Sequence, residues 1–311
     1  MKKYLFLSLC VCLLSFNSQG QQDIQYTQFM FNKLSFNPAY AGAKSSFFLS
    51  AIYRKQWVGI SRAPQSVTLN ADGSVLKKRL GLGLSISYDE IGFSNRVSIE
   101  TNYAYIIRFK NKSFFSLGLR GSMYYTQIRW DQADLIDNFD VAIPQSMTSK
   151  ILPNFGAGAY YEAKNWYVGL SVPHIFVNQG DFNIAASNGT VEPEFTQHYY
   201  LMGGFIFSLS EKVQVQQNLL LKYVVNAPMA IDINLSFVFF QRILFGVTYR
   251  IGSSISAIVQ IQVAPQLRIA AAYDYSTNEL REYNSGSIEM MMSYWFVKRK
   301  NIGELYNERF F

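Results

Sequence analysis

GLGLSISY, residues 81–88, alternates without a break between apolar and small or polar residues. Leu82, Leu84, Ile86 and Tyr88 fall on one face; Gly81, Gly83, Ser85 and Ser87 fall on the other. AIDINLSFVF, residues 230–239, does the same, with Ile231, Ile233, Leu235, Phe237 and Phe239 opposite Asp232, Asn234 and Ser236. Side chains on a β-strand point alternately to its two faces, so each segment has one apolar and one wet surface. A soluble sandwich turns the apolar surface inward. A transmembrane barrel turns it toward lipid and keeps its lumen polar. Fourteen such segments are expected, at 46–54, 66–72, 80–89, 97–109, 113–126, 154–162, 165–172, 195–208, 212–223, 229–240, 242–250, 254–263, 266–275 and 286–296.

An export signal decides between the two. Residues 1–20 have a basic start (Lys2, Lys3), an apolar stretch from Tyr4 to Leu14, and small residues at Ser18 and Gly20, which places cleavage before Gln21. Cys10 and Cys12 lie inside this signal, preceded by Leu9 and Val11 where a lipoprotein signal carries Gly, Ala or Ser. The processed chain therefore has no cysteine for a disulfide or a thiolate metal site. No apolar run reaches the 18 residues of a membrane helix. Loss of Lys2 and Lys3 leaves 26 basic against 21 acidic residues, a net +5, too mild an excess to suggest nucleic acid. The reading is an all-β, antiparallel, up-and-down outer-membrane barrel of about fourteen strands.

The links between segments support it. KNK (110–112), AKN (163–165), SEK (210–212), QR (241–242) and APQ (264–266) are tight. They alternate with longer links at 55–65, 90–96, 127–153, 173–194, 224–228 and 276–285, the short 251–253 link being the exception. Bacterial barrels keep short turns in the periplasm and long loops outside, so an even strand count puts both chain ends in the periplasm. Aromatics gather at strand ends: Phe109, Phe115, Tyr161, Trp166, Phe207, Phe239 and Phe296 on the periplasmic side, and Tyr88, Tyr125, Phe195, Tyr223, Tyr249 and Tyr275 on the outer side. They are expected to form two interfacial girdles. Glu100, Arg108, Arg120, Lys222, Asp232, Arg268, Asp274 and Glu289 share the parity of small polar neighbours and are assigned to the lumen, where they are expected to pair. On the lipid face an Arg or Lys at mid-membrane costs about 2–4 kcal/mol. A lumen of this width needs water or a plug. The candidates are the first 25 residues of the processed chain and the 127–153 and 173–194 loops.

QYTQFMFNKLSFNPAYAGAKSS, residues 25–46, is too apolar for a free linker and should pack against something. Asn37–Pro38 and Gly42 break any regular element in it. The first loop, YRKQWVGISRAPQS at 53–66, offers Trp57 as a large rigid contact and Arg54 as a planar donor fork. At these residues the chain resembles the PorP/SprF family of Bacteroidetes outer-membrane proteins, whose members open with Y-x-Q-[YF]-M-F-N and N-P-A-Y-A-G, followed by R-x-Q-W-x-G and A-P. Tyr26, Gln28, Phe29, Met30, Phe31 and Asn32 match the first part, Asn37, Pro38, Ala39, Tyr40, Ala41 and Gly42 the second, and Arg54, Gln56, Trp57, Gly59, Ala63 and Pro64 the third. Lys33 departs, where the family often has Pro.

The resemblance implies a non-enzymatic barrel of the type IX secretion system with periplasmic termini. It implies help in secreting or anchoring a surface adhesin with a type B C-terminal signal, and contact with periplasmic ring components, including a ring lipoprotein. The implied organisation is a cleaved signal (1–20), a periplasmic or plug segment (21–45), a barrel in outer-membrane lipid (46–296) and a periplasmic tail (297–311). The matching residues would shape the plug and first loop and carry partner contacts.

Two other classes fit these residues less well. A diffusion or uptake channel would have no use for an amide-rich, aromatic N-terminal segment. An enzyme needs a nucleophile, a base and an orienting group. The chain has only His174, beside Pro173 in a loop, and His198, near a strand end, and no G-x-S-x-G, P-loop, dinucleotide or calcium motif. Both histidines read as structural, and no cofactor or metal is expected. The last strand is expected to end on Phe296 rather than at Phe311, leaving 297–311 to hang free near ring components.

Overall fold

The computed structural model describes residues 23–44, 46–130, 148–176, 196–225 and 227–296. The signal at 1–20, the tail at 297–311, Phe195 and most of the two long loops lie outside these residues.

Fourteen antiparallel strands close on themselves: β1 (Phe47–Lys55), β2 (Gln65–Val75), β3 (Leu80–Ile91), β4 (Ser94–Arg108), β5 (Phe114–Ile128), β6 (Thr148–Glu162), β7 (Trp166–Val172), β8 (His198–Ser208), β9 (Val213–Val224), β10 (Ala230–Phe239), β11 (Ile243–Arg250), β12 (Ser254–Ala264), β13 (Leu267–Ser276) and β14 (Ser287–Phe296). Each strand pairs with its sequence neighbours, and β1 closes the ring against β14 in the register Phe47↔Phe296 to Lys55↔Ile288. Closure satisfies the ladder all the way round, which is the condition for strands in hydrocarbon. β1 therefore begins, and β14 ends, at one end of the cylinder, here called the closure end. The other end, carrying the β1–β2, β3–β4 and β13–β14 links, is here called the loop end.

Burial reads out the two faces. On β3, Leu82, Leu84, Ile86 and Tyr88 are exposed on the outer surface while Ser85 is buried. On β10, Ile233, Leu235 and Phe237 point out, and Asp232, Asn234 and Ser236 are fully buried. Six of the eight charges assigned to the lumen are buried: Arg120, Lys222, Asp232, Arg268, Asp274 and Glu289. Glu100 is half-buried beside Arg120. Arg108 keeps the inward parity but lies exposed at the closure end, with its guanidinium over the Phe114 ring. Aromatic pairs sit at both ends of the outer wall: Phe47–Phe296 and Tyr161–Trp166 at the closure end, Tyr199–Tyr223 at the loop end.

Two expected boundaries are corrected. The 90–96 link is only Gly92–Phe93, a tight hairpin in which Gly92 takes φ +59. β6 begins at Thr148, not at 154. Residues 148–156 pair with β5 but not with β7, which stops at Val172 opposite Ala157. Pro153, lacking an N–H, sits in this stretch beyond the reach of β7. Both errors have one cause. Beyond the lipid a strand no longer needs an apolar face, so alternation fades before the ladder does.

Candidate functional site

Residues 23–44 lie inside the barrel. The segment is a series of short turns, Phe29–Phe31, Lys33–Phe36 and Pro38–Tyr40, because Asn32, Asn37 and Gly42 interrupt any longer helix. Asn37 caps the last turn through its side chain, with Pro38 in the first position, where its missing N–H costs nothing. Tyr26, Phe29, Met30, Phe31, Leu34, Phe36, Ala39, Tyr40 and Ala41 are buried and join wall residues such as Ile106, Tyr160, Met202, Leu220 and Met291 in one apolar cluster.

The segment runs the length of the lumen. At the closure end Lys44 stacks over the Phe48 and Trp295 rings, and the Gly42 N–H donates to Asp72. At the loop end Asp23 lines a cavity of about 480 Å³ with Gln56, Trp57, Pro64, Ser94 and Ser253. Asp23 is thus at the opposite end of the cylinder from Phe47 and Phe296, so the start of the threaded segment and the end of β14 do not lie on one side, as the expectation of two periplasmic chain ends had them.

Its two halves are held differently. Residues 34–42 lie against the wall through backbone. A Cβ on Gly81 would strike the Ala41 carbonyl, and one on Gly118 would meet the Pro38 carbonyl carbon at 2.5 Å. Small lumen-facing residues in GLGLSISY thus make room for the chain. Gly42, at φ +66, presses on Gly81 where no side chain fits. Arg120 donates to the Leu34 and Ser35 carbonyls at 2.6 and 3.1 Å, satisfying acceptors that the short turn leaves free. Ser171 donates to Phe36 O, Ser116 to Ala39 O, and Asn37 Nδ2 to the Ala159 and Leu170 carbonyls.

Residues 25–28 are held by charge. Arg54 on β1 binds Asp274 at 2.7 Å and Glu289 at 3.0 Å, all three side chains nearly inaccessible. Glu289 accepts the backbone N–H groups of Thr27 and Gln28, each at 2.8 Å. The Thr27 hydroxyl accepts from Arg54 and donates to Asp274. Arg250 binds Asp232, which also takes Lys222 at 2.9 Å, and reaches Gln25 and the Tyr26 carbonyl. Three cations face three carboxylates, so the desolvated charges balance.

The motif residues therefore divide by place. Tyr26, Gln28, Phe29, Met30, Asn32, Asn37, Pro38, Tyr40 and Gly42 are covered by the barrel, as is Arg54 on its wall. Gln56, Trp57 and Pro64 are half-buried around the loop-end cavity, and Gly59 is exposed. Trp57 has φ +46 and donates its N–H to Ser287, while Val58 pairs with Ser285 and Gly286. Arg54–Thr27 is where the two stretches of motif meet. Asp23, His174 and His198, which the sequence reading left without a role, converge at the loop end. Distances of more than 150 positions in sequence separate the aspartate from either histidine, and no local spacing signals such a meeting.

No curated protein sequence matches the chain. Among solved structures it is similar to outer-membrane barrels. Omp33 of Acinetobacter baumannii shares 8% identity over 82% of this chain and 100% of its own, at TM-score 0.46. A deletion mutant of TodX, a monoaromatic hydrocarbon channel, shares 10% over 84% of this chain and 93% of its own, at TM-score 0.48. A Pseudomonas aeruginosa FadL homologue shares 11% over 90% and 96%, at TM-score 0.44. Residues 18–294, spanning the threaded segment and nearly the whole barrel, match the family of type IX secretion system membrane proteins PorP/SprF, and the chain belongs to that outer-membrane family.

Proposed function

We propose that this barrel acts in type IX secretion as a closed, non-enzymatic platform that helps secrete or anchor a surface protein bearing a type B C-terminal signal and docks to periplasmic ring components. The threaded segment carries this reading. A lumen filled by residues 23–44, bonded along both halves to the wall, suits a scaffold better than a diffusion pore. In this reading the closure end faces the periplasm and the 297–311 tail meets the ring there. The loop end, with Trp57 and the β1–β2 link, faces the exported protein.

Planar-bilayer recording on the purified protein tests the first part. The intact barrel should conduct little, and deletion of residues 23–44 should open a steady channel. High conductance by the intact protein would favour a porin. For the second part, Trp57→Ala should leave barrel levels unchanged, because the residue lies outside the strands, yet reduce surface display of the exported protein. Undiminished display would remove Trp57 from the contact.

A further inference from the structure

Both histidines of the chain meet one carboxylate where the threaded segment reaches the loop end. His174 Nε2 stands 3.0 Å from Asp23 Oδ1, and His198 Nε2 stands 4.0 Å from Asp23 Oδ2. The three donor atoms all lie within 4.8 Å of one another. Both rings are buried, with side-chain exposures of 3% and 2%, and their centroids are 5.6 Å apart.

His198 makes the cluster more than an ion pair. Its Nδ1 lies 2.7 Å from the Thr196 carbonyl, an acceptor, so Nδ1 carries the proton. Nε2 of the neutral ring then has a lone pair. That nitrogen is buried and has no hydrogen-bond partner among the described residues, and it faces a carboxylate oxygen, also an acceptor. With the ring neutral, two acceptors stand face to face at the inner edge of the cavity that the Asp23 carboxylate lines, an arrangement that a cation between them satisfies.

The surroundings are those of a ligand set. A histidine that binds metal through one nitrogen usually has the other held by a carbonyl or a similar group. Thr196 O holds His198, and the Tyr124 hydroxyl stands 3.4 Å from His174 Nδ1. The Tyr200 hydroxyl donates to Asp23 Oδ2 at 2.7 Å, fixing the carboxylate. The backbone carrying His174 is pinned to β6: Ile175 N donates to Phe155 O, and Asn154 Oδ1 accepts from Ile175 and Phe176. His198 is the first residue of β8. Around a tetrahedral ion with bonds of about 2.1 Å, donors stand roughly 3.4 Å apart. The two measured separations straddle that figure, so small side-chain shifts complete the geometry.

We propose that Asp23, His174 and His198 bind one late first-row divalent cation, Zn²⁺ fitting best, which staples the leading end of the threaded segment to β7 and β8. Two imidazoles and a carboxylate favour this class over Mg²⁺ or Ca²⁺, which take oxygen-rich sets. A fourth position remains for water.

The full-length protein in detergent, stripped with chelator, should bind one equivalent of Zn²⁺ by calorimetry with micromolar or tighter affinity. Co²⁺ should give the strong visible absorption of a four-coordinate site, abolished by Zn²⁺. His198→Gln and Asp23→Asn should each weaken binding by more than the roughly 10–100-fold that losing an outer partner costs. Barrel integrity is read from heat-dependent gel migration. If His198→Gln fails to form a barrel, Asp23→Asn decides, since Asp23 is outside the wall. Absence of one-equivalent Zn²⁺ binding by the native protein, or unchanged affinity in an intact variant, overturns the site and leaves a histidine–carboxylate ion pair.

Discussion

The two halves of the threaded segment rest on the same barrel by opposite physics. Residues 37–42 are seated mainly by shape: wall glycines bring backbone against backbone, with Asp72 accepting from Gly42 and the Lys33 amine over the Tyr40 ring. Residues 23–28 are seated by charge, through Arg54, Asp274, Glu289, Arg250 and the Asp23 cluster. A fit built on shape is indifferent to pH and salt, whereas a charge network responds to both. The half near β1 is thus the fixed anchor, and the half near the loop end is the one that conditions can loosen.

Breaking the shape half should have the largest effect. Gly118→Val puts a branched side chain where Pro38 and Ala39 backbone now lies. Overpacking a core costs about 1–3 kcal/mol when side chains can yield. Here backbone would have to yield, so residues 37–41 should be displaced outright. Protease cleavage within 23–44 of the folded barrel, absent in the native protein, checks this. An uncleaved variant with a native barrel would show that the wall accommodates the bulk.

Breaking the charge half should cost less and act locally. Arg54→Met leaves Asp274 and Glu289 buried with no guanidinium between them, a loss of about 3–5 kcal/mol for a broken buried pair. Amide exchange should rise at Thr27 and Gln28, whose N–H groups Glu289 accepts, and stay low at Ala39 and Ala41. Adding Glu289→Gln removes one orphaned charge and should recover part of the loss. Equal loosening of both halves would mean that they are one cooperative unit.

The same contrast marks what sequence alone could show. Strands over the lipid were legible because hydrocarbon contact forces alternation on every one, as at 81–88 and 230–239. Residues 148–153 were not, since outside the membrane the ladder of β6 continues with no apolar face to advertise it. The segment at 25–46 was legible as something that must pack. Where it packs depends on glycines at 81 and 118: the first read only as a small residue on the polar face, and nothing marked the second until the chain they accommodate is seen against them. Arg54 stood out by its motif. Its carboxylate partners were legible only as lumen parity, because the 54–274 and 54–289 pairings exist only once β1 closes on β14 and β13 stands beside it.

At neutral pH the smallest effect sits at the border between the halves. Lys33 is buried with its Nζ 3.7 Å above the Tyr167 ring and 5.4 Å from that of Tyr40, faces that favour the cation. Burial nevertheless pulls its pKa from 10.5 down to about 7; Glu162 acts against this and Lys44 adds to it. In water, with the segment released, the amine keeps its ordinary value. Between about pH 7 and pH 10.5 the released form therefore binds a proton that the seated form lacks. Seating should strengthen as pH rises through that window, by at most about tenfold per unit, and this group should add no dependence below it. Lys33→Met keeps the stem in contact with Tyr167 and removes the charge, so it should seat more firmly at pH 7 and lose the slope. Exchange of the Leu34 to Asn37 amides, corrected for intrinsic rates, measures both. Identical pH profiles for the two proteins would mean that Lys33 keeps one charge state whether the segment is in or out, and that only the charge half responds to pH.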